Sequence, residues 1–516
     1  MFIIGNLLKR GIRLRDSIQQ EFSTPFDLQK STLRKLMIKA RYTQFGQAFS
    51  FIEILKSFRS KNQEVFYENF KEILPVYEYE SIYREWWYKT REGEKNVCWP
   101  EEVKYFALSS GTSEATSKYI PVTRSMIKAI QRTGIRQILS LSKFDLPAKT
   151  YEKGMLMLGG STELNRYGTY FEGDLSGITA GQLPFWLHFF YKPGQRIART
   201  KDWDSKLNEI VLKAKDWDIG HLMGVPAWIQ ILMEKIIAHY GVNDIHDIWP
   251  NLEVYVHGGV SLDPYRKSFN KLLGRPITYI ETYLASEGFI AFQALPNRRS
   301  MRLVLNNGIF YEFVPFNSRN FDDDGQLVAN PETYMIHEIN EQQEYALLIS
   351  TCAGAWRYLL GDTIKFVNKE ESEIVITGRT KHFLSLCGEH LSVDNMTKAV
   401  EMIADEFDLS IREFTVTGVS HESLFAHHWY LACDQVANAD QLRDRLDRYL
   451  KDLNDDYAVE RRAALKEVFV TLLPTEAFYA FMKHRGKVGG QSKFPRVLKK
   501  QILEDWNAFL ADQWKS

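Results

Sequence analysis

From Val103 onward the sequence alternates short apolar runs with amphipathic stretches, and that alternation confines the chain to a layered α/β architecture. Strands are expected at residues 155–158, 253–257, 277–279, 309–315 and 345–351, and helices at 125–140, 205–215, 227–240 and 264–273. Ahead of this region, Leu33, Leu36, Met37 and Ala40 recur at helical spacing, and the stretch to about Glu92 reads as helical and rich in aromatic residues.

At 516 residues the chain exceeds one ordinary hydrophobic core, so at least two domains are expected. The last third separates itself. The charged run Lys369-Glu370-Glu371-Ser372-Glu373 is followed by the β-rich Ile374-Val375-Ile376-Thr377, then helix (393–407), strands (414–419 and 429–433), helix (439–453), strand (467–473) and a final helical stretch. An antiparallel sheet with helices on one face suits that order. The expected fold class is therefore α/β, a large multi-layer N-terminal domain (1–368) with a smaller α+β C-terminal lid (369–516), joined near 366–373.

Composition removes several function classes. Basic and acidic residues balance at 65 each, so no global field draws the chain to nucleic acid or anionic lipid. The four cysteines, Cys98, Cys352, Cys387 and Cys433, are dispersed without a C-x-x-C pair, which suits a reducing compartment and argues against a zinc ribbon. The N-terminus carries Lys9, Arg10 and Arg13 where a signal peptide needs an apolar core, and no run of about 18 apolar residues occurs anywhere. A cytoplasmic protein without a membrane span is expected.

Four segments carry chemistry. In Leu108-Ser109-Ser110-Gly111-Thr112-Ser113-Glu114-Ala115-Thr116-Ser117-Lys118, hydroxyls, the backbone N–H groups around Gly111 and one lysine charge can grip a polyphosphate. The second, Thr282-Tyr283-Leu284-Ala285-Ser286-Glu287-Gly288, offers an aromatic face for a base, a hydroxyl for a phosphate oxygen and a hard oxygen ligand for Mg²⁺. Just upstream, the paired Gly258 and Gly259 let the backbone approach a planar ring. In Trp356-Arg357-Tyr358-Leu359-Leu360-Gly361-Asp362, an aspartate on a tight turn can accept both ribose hydroxyls. The fourth is Gly378-Arg379, opening the lid, with Gly388-Glu389 ten residues on, and Lys493 waits on a late glycine-rich loop as a mobile cation. Taken singly, the phosphate loop, Glu287 and Asp362 read better as an ordinary turn, a solvated carboxylate and a hairpin-turn aspartate.

Other candidates carry less. His427 and His428 are adjacent on an expected strand, so their side chains point to opposite faces and do not form a metal site; one of them could face an acceptor pocket. Neither a Gly-x-x-x-x-Gly-Lys-Ser/Thr string nor a Gly-x-Ser-x-Gly elbow occurs, which disfavours a P-loop NTPase and an α/β-hydrolase. The aromatic run Pro184-Phe185-Trp186-Leu187-His188-Phe189-Phe190-Tyr191 is core in the plain reading and the wall of an apolar acyl pocket in the second.

Together, in this order, the segments follow the adenylate-forming enzymes, and in detail the chain resembles the auxin-responsive acyl-acid–amido synthetase family over nearly its full length. Ser109-Ser110-Gly111-Thr112-Ser113, Tyr283-Leu284-Ala285-Ser286-Glu287 and Trp356 to Asp362 look like its three nucleotide motifs, and Gln491-Ser492-Lys493-Phe494-Pro495-Arg496 is similar to its C-terminal lysine segment. The resemblance implies ATP and Mg²⁺ as cofactors, a small carboxylic acid and an amine, an amino acid first among candidates, as substrates. It places Ser110, Thr112 and Ser113 on the phosphates, Tyr283 on adenine, Ser286 at the α-phosphate, Glu287 on Mg²⁺, Asp362 on ribose, Arg379 at the hinge side of the nucleotide, and Lys493 as the residue promoting adenylation. An acyl-CoA ligase and a binding protein without turnover are the alternatives.

Overall fold

The computed structural model describes residues 24–60, 64–109, 118–259, 261–322, 325–380, 384, 389, 391, 393–421, 424–454, 457–458, 461, 465–486, 494–498 and 500–513. The longer helices are α1 (Pro25–Ala40), α2 (Val65–Ile73), α3 (Arg124–Ser140), α4 (Trp203–Lys213), α5 (Pro226–Tyr240), α6 (Val393–Glu406), α7 (Ala439–Leu453), α8 (Thr475–His484) and α9 (Lys500–Gln513). Their starts are written in the sequence. Thr24, Thr123 and Asp202 cap α1, α3 and α4 by accepting a first-turn N–H, and proline occupies the first turn of α1 and α5. Gly241, at φ 62°, ends α5 in the left-handed conformation.

The strands are β1 (Tyr105–Ser109), β2 (Lys118–Val122), β3 (Gly154–Met157), β4 (Asn165–Tyr167), β5 (Tyr170–Gly173), β6 (Tyr191–Lys192), β7 (Ile219–Met223), β8 (Val254–Gly258), β9 (Thr278–Ala285), β10 (Gly288–Phe292), β11 (Met301–Leu303), β12 (Ile309–Pro315), β13 (Glu344–Thr351), β14 (Tyr358–Asn368), β15 (Glu373–Arg379), β16 (Ile411–His421), β17 (Leu424–Cys433) and β18 (Leu465–Leu473). An eleven-stranded sheet runs β12-β13-β14-β15-β11-β10-β9-β8-β7-β3-β6, and a four-stranded sheet runs β2-β1-β5-β4. In the large sheet β9, β8, β7, β3 and β6 pair in parallel, whereas the pairs from β9 to β12 are antiparallel. Strand β9 is the junction of the two halves.

Two cores flank the sheet. The N-terminal helices and α3 bury Leu33, Phe70, Trp87 and Met126 against the antiparallel half, around Phe310, Trp356 and Tyr358. Helices α4 and α5 bury Leu207, Ile229 and Met233 against Leu156, Leu222 and Tyr255 of the parallel half. The α/β class with a large N-terminal unit and a smaller C-terminal one therefore stands.

Three details depart from the sequence expectation. First, 369–372 is the turn of the β14–β15 hairpin, and β15 pairs with β14 and β11, so Glu373–Arg379 stays with the large sheet. A charged run at a hairpin tip has the same composition as an interdomain linker. Second, the C-terminal sheet β16-β17-β18 is mixed, because β17 and β18 are parallel. Third, its helices cover both faces: Trp429 and Leu431 pack on α6 and α7, while Tyr430 and Ala432 pack on α8 and α9. Strand β17 is apolar on both faces, as a doubly covered strand must be.

Candidate active site

Strand β9 continues through Tyr283, past the expected end at 279, because Thr278-Tyr279-Ile280-Glu281-Thr282-Tyr283 alternates β-branched and aromatic residues. It turns into β10 through Ser286 and Glu287, since Ala285 pairs with Gly288. Gly258 lies opposite Thr282, and a Cβ there would collide with the Thr282 carbonyl oxygen; the Thr282 hydroxyl donates to the His257 carbonyl at 2.9 Å. Glycine is required at that crossing for close strand approach, and Gly259 follows at φ 84°.

Asp362 reaches the same place from another strand. Between Leu359 and Thr363 strand β14 advances four residues while β13 advances two, from Leu348 to Ala346, and Gly361 takes φ 89° inside this bulge. The bulge re-aims the next side chain. In a flat sheet, four steps from β14 to β9 would span about 19 Å. Yet the Tyr283 hydroxyl donates to Asp362 Oδ2 at 2.5 Å, so the antiparallel half curls over on itself. Arg379, paired with Asp362 in the ladder, donates from Nε to Asp362 Oδ1 at 2.6 Å.

Glu287 completes the cluster. It is 8% exposed, and burial raises its carboxyl above the usual range; the Lys118 and Arg379 charges pull it down, and Asp362 pushes it up. Burial, and then the neighbouring Glu287 charge, holds the Tyr358 phenol protonated. Lys118 opens β2 opposite Ser109. The ion pair with Asp362 keeps Arg379 charged, and 41% of the arginine side chain stays accessible. The result is two buried carboxylates, two cations and two phenols gathered from four strands and one turn, an arrangement suited to a polyanion with a flat head group.

Of the residues expected in the site, Lys118, Tyr283, Glu287, Asp362 and Arg379 converge. Gly258 and Gly259 adjoin Tyr283 along β8, and Ser286 shares the Glu287 turn. Ser109 ends β1, whereas Ser110, Gly111, Thr112, Ser113 and Lys493 lie outside the described residues. The sequence reading gave Tyr358 no role, although it stands four residues before Asp362 in the same motif. It missed Glu281 entirely. Burial, then Asp263, raises the Glu281 carboxyl to about 7 against the opposing Arg266 and Arg299 charges.

Glu281 yields a pH prediction. Its native pKa exceeds the unfolded one, so between pH 4.5 and 7 the native state binds more protons and stability falls as pH rises. Glu281→Gln is expected to remove about 3 kcal/mol of that decline, read from urea midpoints at pH 4.5 and 7.5. An unchanged slope would assign the proton elsewhere.

The other candidates resolve differently. His427 and His428 do face opposite ways: His427 is fully buried with Nε2 2.9 Å from Glu389 Oε1, and His428 Nε2 meets the Thr471 hydroxyl at 2.8 Å. Among the described residues no cluster of His, Cys, Asp or Glu could hold a metal by itself. The aromatic run is not core throughout, since Phe185 and Phe189 are 82% exposed. Tyr191 lines a cavity of about 10 Å³ with Leu158, Gly159 and Lys206 at the C-terminal end of β3.

Comparison with known proteins follows the same lines. The GH3 family N-terminal, central and C-terminal domain patterns match residues 14–214, 302–379 and 394–502. Jasmonoyl–L-amino acid synthetase JAR6 of Nicotiana attenuata is 26% identical over 282 residues, 50% of this chain and 46% of that protein. Indole-3-acetic acid-amido synthetase GH3.2 of Arabidopsis thaliana is 27% identical over 168 residues, 30% of each. The chain thus spans less than half the length of the curated relatives it matches. In three dimensions the chain is similar to the GH3.15 acyl acid amido synthetase, with a TM-score of 0.75 at 16% identity over 97% of this chain and 96% of that one. A 2-hydroxyisobutyryl-CoA ligase in its postadenylation state gives 0.60 at 11% identity over 94% and 90%. At such identities the likeness is one of fold.

Proposed function

Because this chain belongs to the GH3 family, we propose that it is an ATP-dependent acyl-acid amido synthetase. A carboxylate oxygen attacks the α-phosphorus of ATP and the bond to the bridging oxygen breaks, giving acyl-adenylate and pyrophosphate. An uncharged amine, an amino acid first, then attacks the acyl carbon; AMP leaves and the amine gives up a proton. The carrying observation is the Tyr283–Asp362–Arg379 constellation beside Glu287 and Lys118.

In this reading Ser110, Thr112, Ser113 and Lys118 take the phosphates, with backbone N–H groups near Gly111. Tyr283 and the Gly258-Gly259 backbone take the base, and Asp362, already oriented by Tyr283 and Arg379, takes the ribose hydroxyls. Arg379, held at Asp362, faces the nucleotide from the end of β15. Ser286 meets the α-phosphate and Lys493 arrives from the C-terminal unit, which we place beyond Arg379.

Glu287 fits a magnesium ion that otherwise binds phosphate and water, since it is the second buried carboxylate of the cluster and, unlike Asp362, is not already paired with Arg379. Bound there, the ion would neutralise charge on the phosphates. Raised by burial, the Glu287 carboxyl gains most from a cation that favours its charged form.

The test is acid-dependent isotope exchange between pyrophosphate and ATP, screened over many carboxylic acids, then AMP release with amino acids or CoA. Exchange is expected for at least one acid, amine-dependent AMP release for that acid, and loss of exchange but not of ATP binding in Lys493→Ala. AMP release that needs CoA would move the protein to the thioester-forming ligases, and ATP binding without exchange would make it a binding protein.

A further inference from the structure

The C-terminal unit rests on the turn Asp263–Tyr265 and the helix Arg266–Leu272 that follows it. The rim of this contact is ionic. Lys267 Nζ lies 3.5 Å from Asp405 and from Asp408, Arg412 lies 3.4 Å from Glu234, and Lys483 lies 3.1 Å from Asp204. Such solvent-exposed pairs are screened and contribute little.

The centre is of another kind. Tyr265, 1% exposed, donates its hydroxyl to Glu413 Oε1 at 2.6 Å. The other oxygen, Oε2, accepts from Arg496 Nη1 at 2.6 Å. Arg496 also donates to the Phe414 carbonyl at 3.0 Å and lies over the Phe414 ring, 4.4 Å from its centroid. The backbone around it is tied as firmly: the Val416 N–H donates to the Arg496 carbonyl at 2.9 Å, the Leu498 N–H to the Val416 carbonyl at 2.8 Å, and the Thr415 hydroxyl to the Pro495 carbonyl at 2.7 Å. Residues 495–498 thus lie along β16 in parallel, and they begin two positions after Lys493.

One buried carboxylate therefore has two anchors, one on the N-terminal unit and one on the segment that carries Lys493. We propose that Glu413 is a positioning residue that couples docking of the C-terminal unit to the placement of Lys493. What Lys493 then does rests on the synthetase reading. With the latch closed, residues 495–498 and the N-terminal unit are held through one carboxylate. With either anchor removed, the carboxylate loses half of its ligation in a desolvated place and the docked pose weakens.

Tyr265→Phe removes one hydroxyl and keeps the ring. Losing a hydrogen bond to a buried charge at this contact is expected to lower acid-dependent pyrophosphate–ATP exchange about tenfold. Amide formation from supplied acyl-adenylate, which does not call on Lys493, should stay within about twofold of wild type, since that step makes no use of the lost bond. In Glu413→Gln, deuterium should enter the Leu498 and Val416 amides faster, which reads the latch without any reaction. Equal falls in both half-reactions, loss of transfer alone, or unchanged exchange in both respects would overturn the proposal. A wild-type protein that exchanges with no acid would count against the synthetase reading instead, and the deuterium arm would still decide whether Glu413 fixes 495–498.

Discussion

Arg357→Ala is expected to cost about 3–5 kcal/mol of folding stability, the range for breaking a buried ion pair from one side. Arg357 is buried and its Nε donates to Glu312 at 3.1 and 3.2 Å. Nη1 donates to the Lys71 and Leu74 carbonyls at 3.0 and 2.7 Å, and Nη2 to the Thr333 hydroxyl at 3.2 Å. Glu312 is wholly buried and also accepts from the Tyr67 hydroxyl at 3.1 Å. Alanine would leave that charge facing two unanswered carbonyls in a dry place. The arginine even holds a left-handed backbone, φ 44°, with its N–H on the Ser350 hydroxyl, so the local strain is sustained by these contacts. Urea midpoints decide the matter. Arg357→Lys should recover only part of the loss, because an ammonium cannot fork to carboxylate and carbonyls together. A midpoint shift within error of wild type would show the pair to be dispensable. Arg357 belongs to the third motif, yet its work is to bolt β12 and β14 to α2.

Asp362→Asn is expected to lower adenylation, as kcat/KM for ATP, by about 10²-fold, the scale for losing a preorganised polar group in a closed site. The change preserves shape. It strips Arg379 of its counter-ion and hands one of two acceptor positions an NH₂ that must face either the Tyr283 hydroxyl or the Arg379 guanidinium. Circular dichroism should remain that of wild type, since asparagine keeps the shape of the buried aspartate and leaves the surrounding apolar packing in place. Activity within about threefold of wild type would remove Asp362 from the nucleotide site.

The expected helices at 125–140 and 227–240 appear within a residue because their caps and apolar faces are local signals. Strand β9 outran its expectation because Glu281 and Thr282 look like a loop to any reading that counts apolar residues; the groups they meet, Asp263 and Arg266 for Glu281 and the His257 carbonyl for Thr282, lie elsewhere in the sequence. Asp362 and Tyr283 were each legible as site residues, but the hydrogen bond between them was not: only a curled sheet brings β9 and β14 together. The hairpin turn at 369–372 was mistaken for a linker because both are charged and exposed. The latch at Glu413 had no local signature, since a glutamate between Arg412 and Phe414 is indistinguishable from a surface residue until Tyr265 and Arg496 stand beside it.

The β14–β15 hairpin ends at Arg379, and that last rung is clasped to Asp362. In the proposed synthetase, a reorientation of the C-terminal unit beyond Arg379 would leave this clasp in place. The C-terminal helices would then move while the aspartate, the tyrosine and the arginine stay still. A chain built this way can exchange one wall of its cleft between two chemical steps without letting go of the intermediate held by the other.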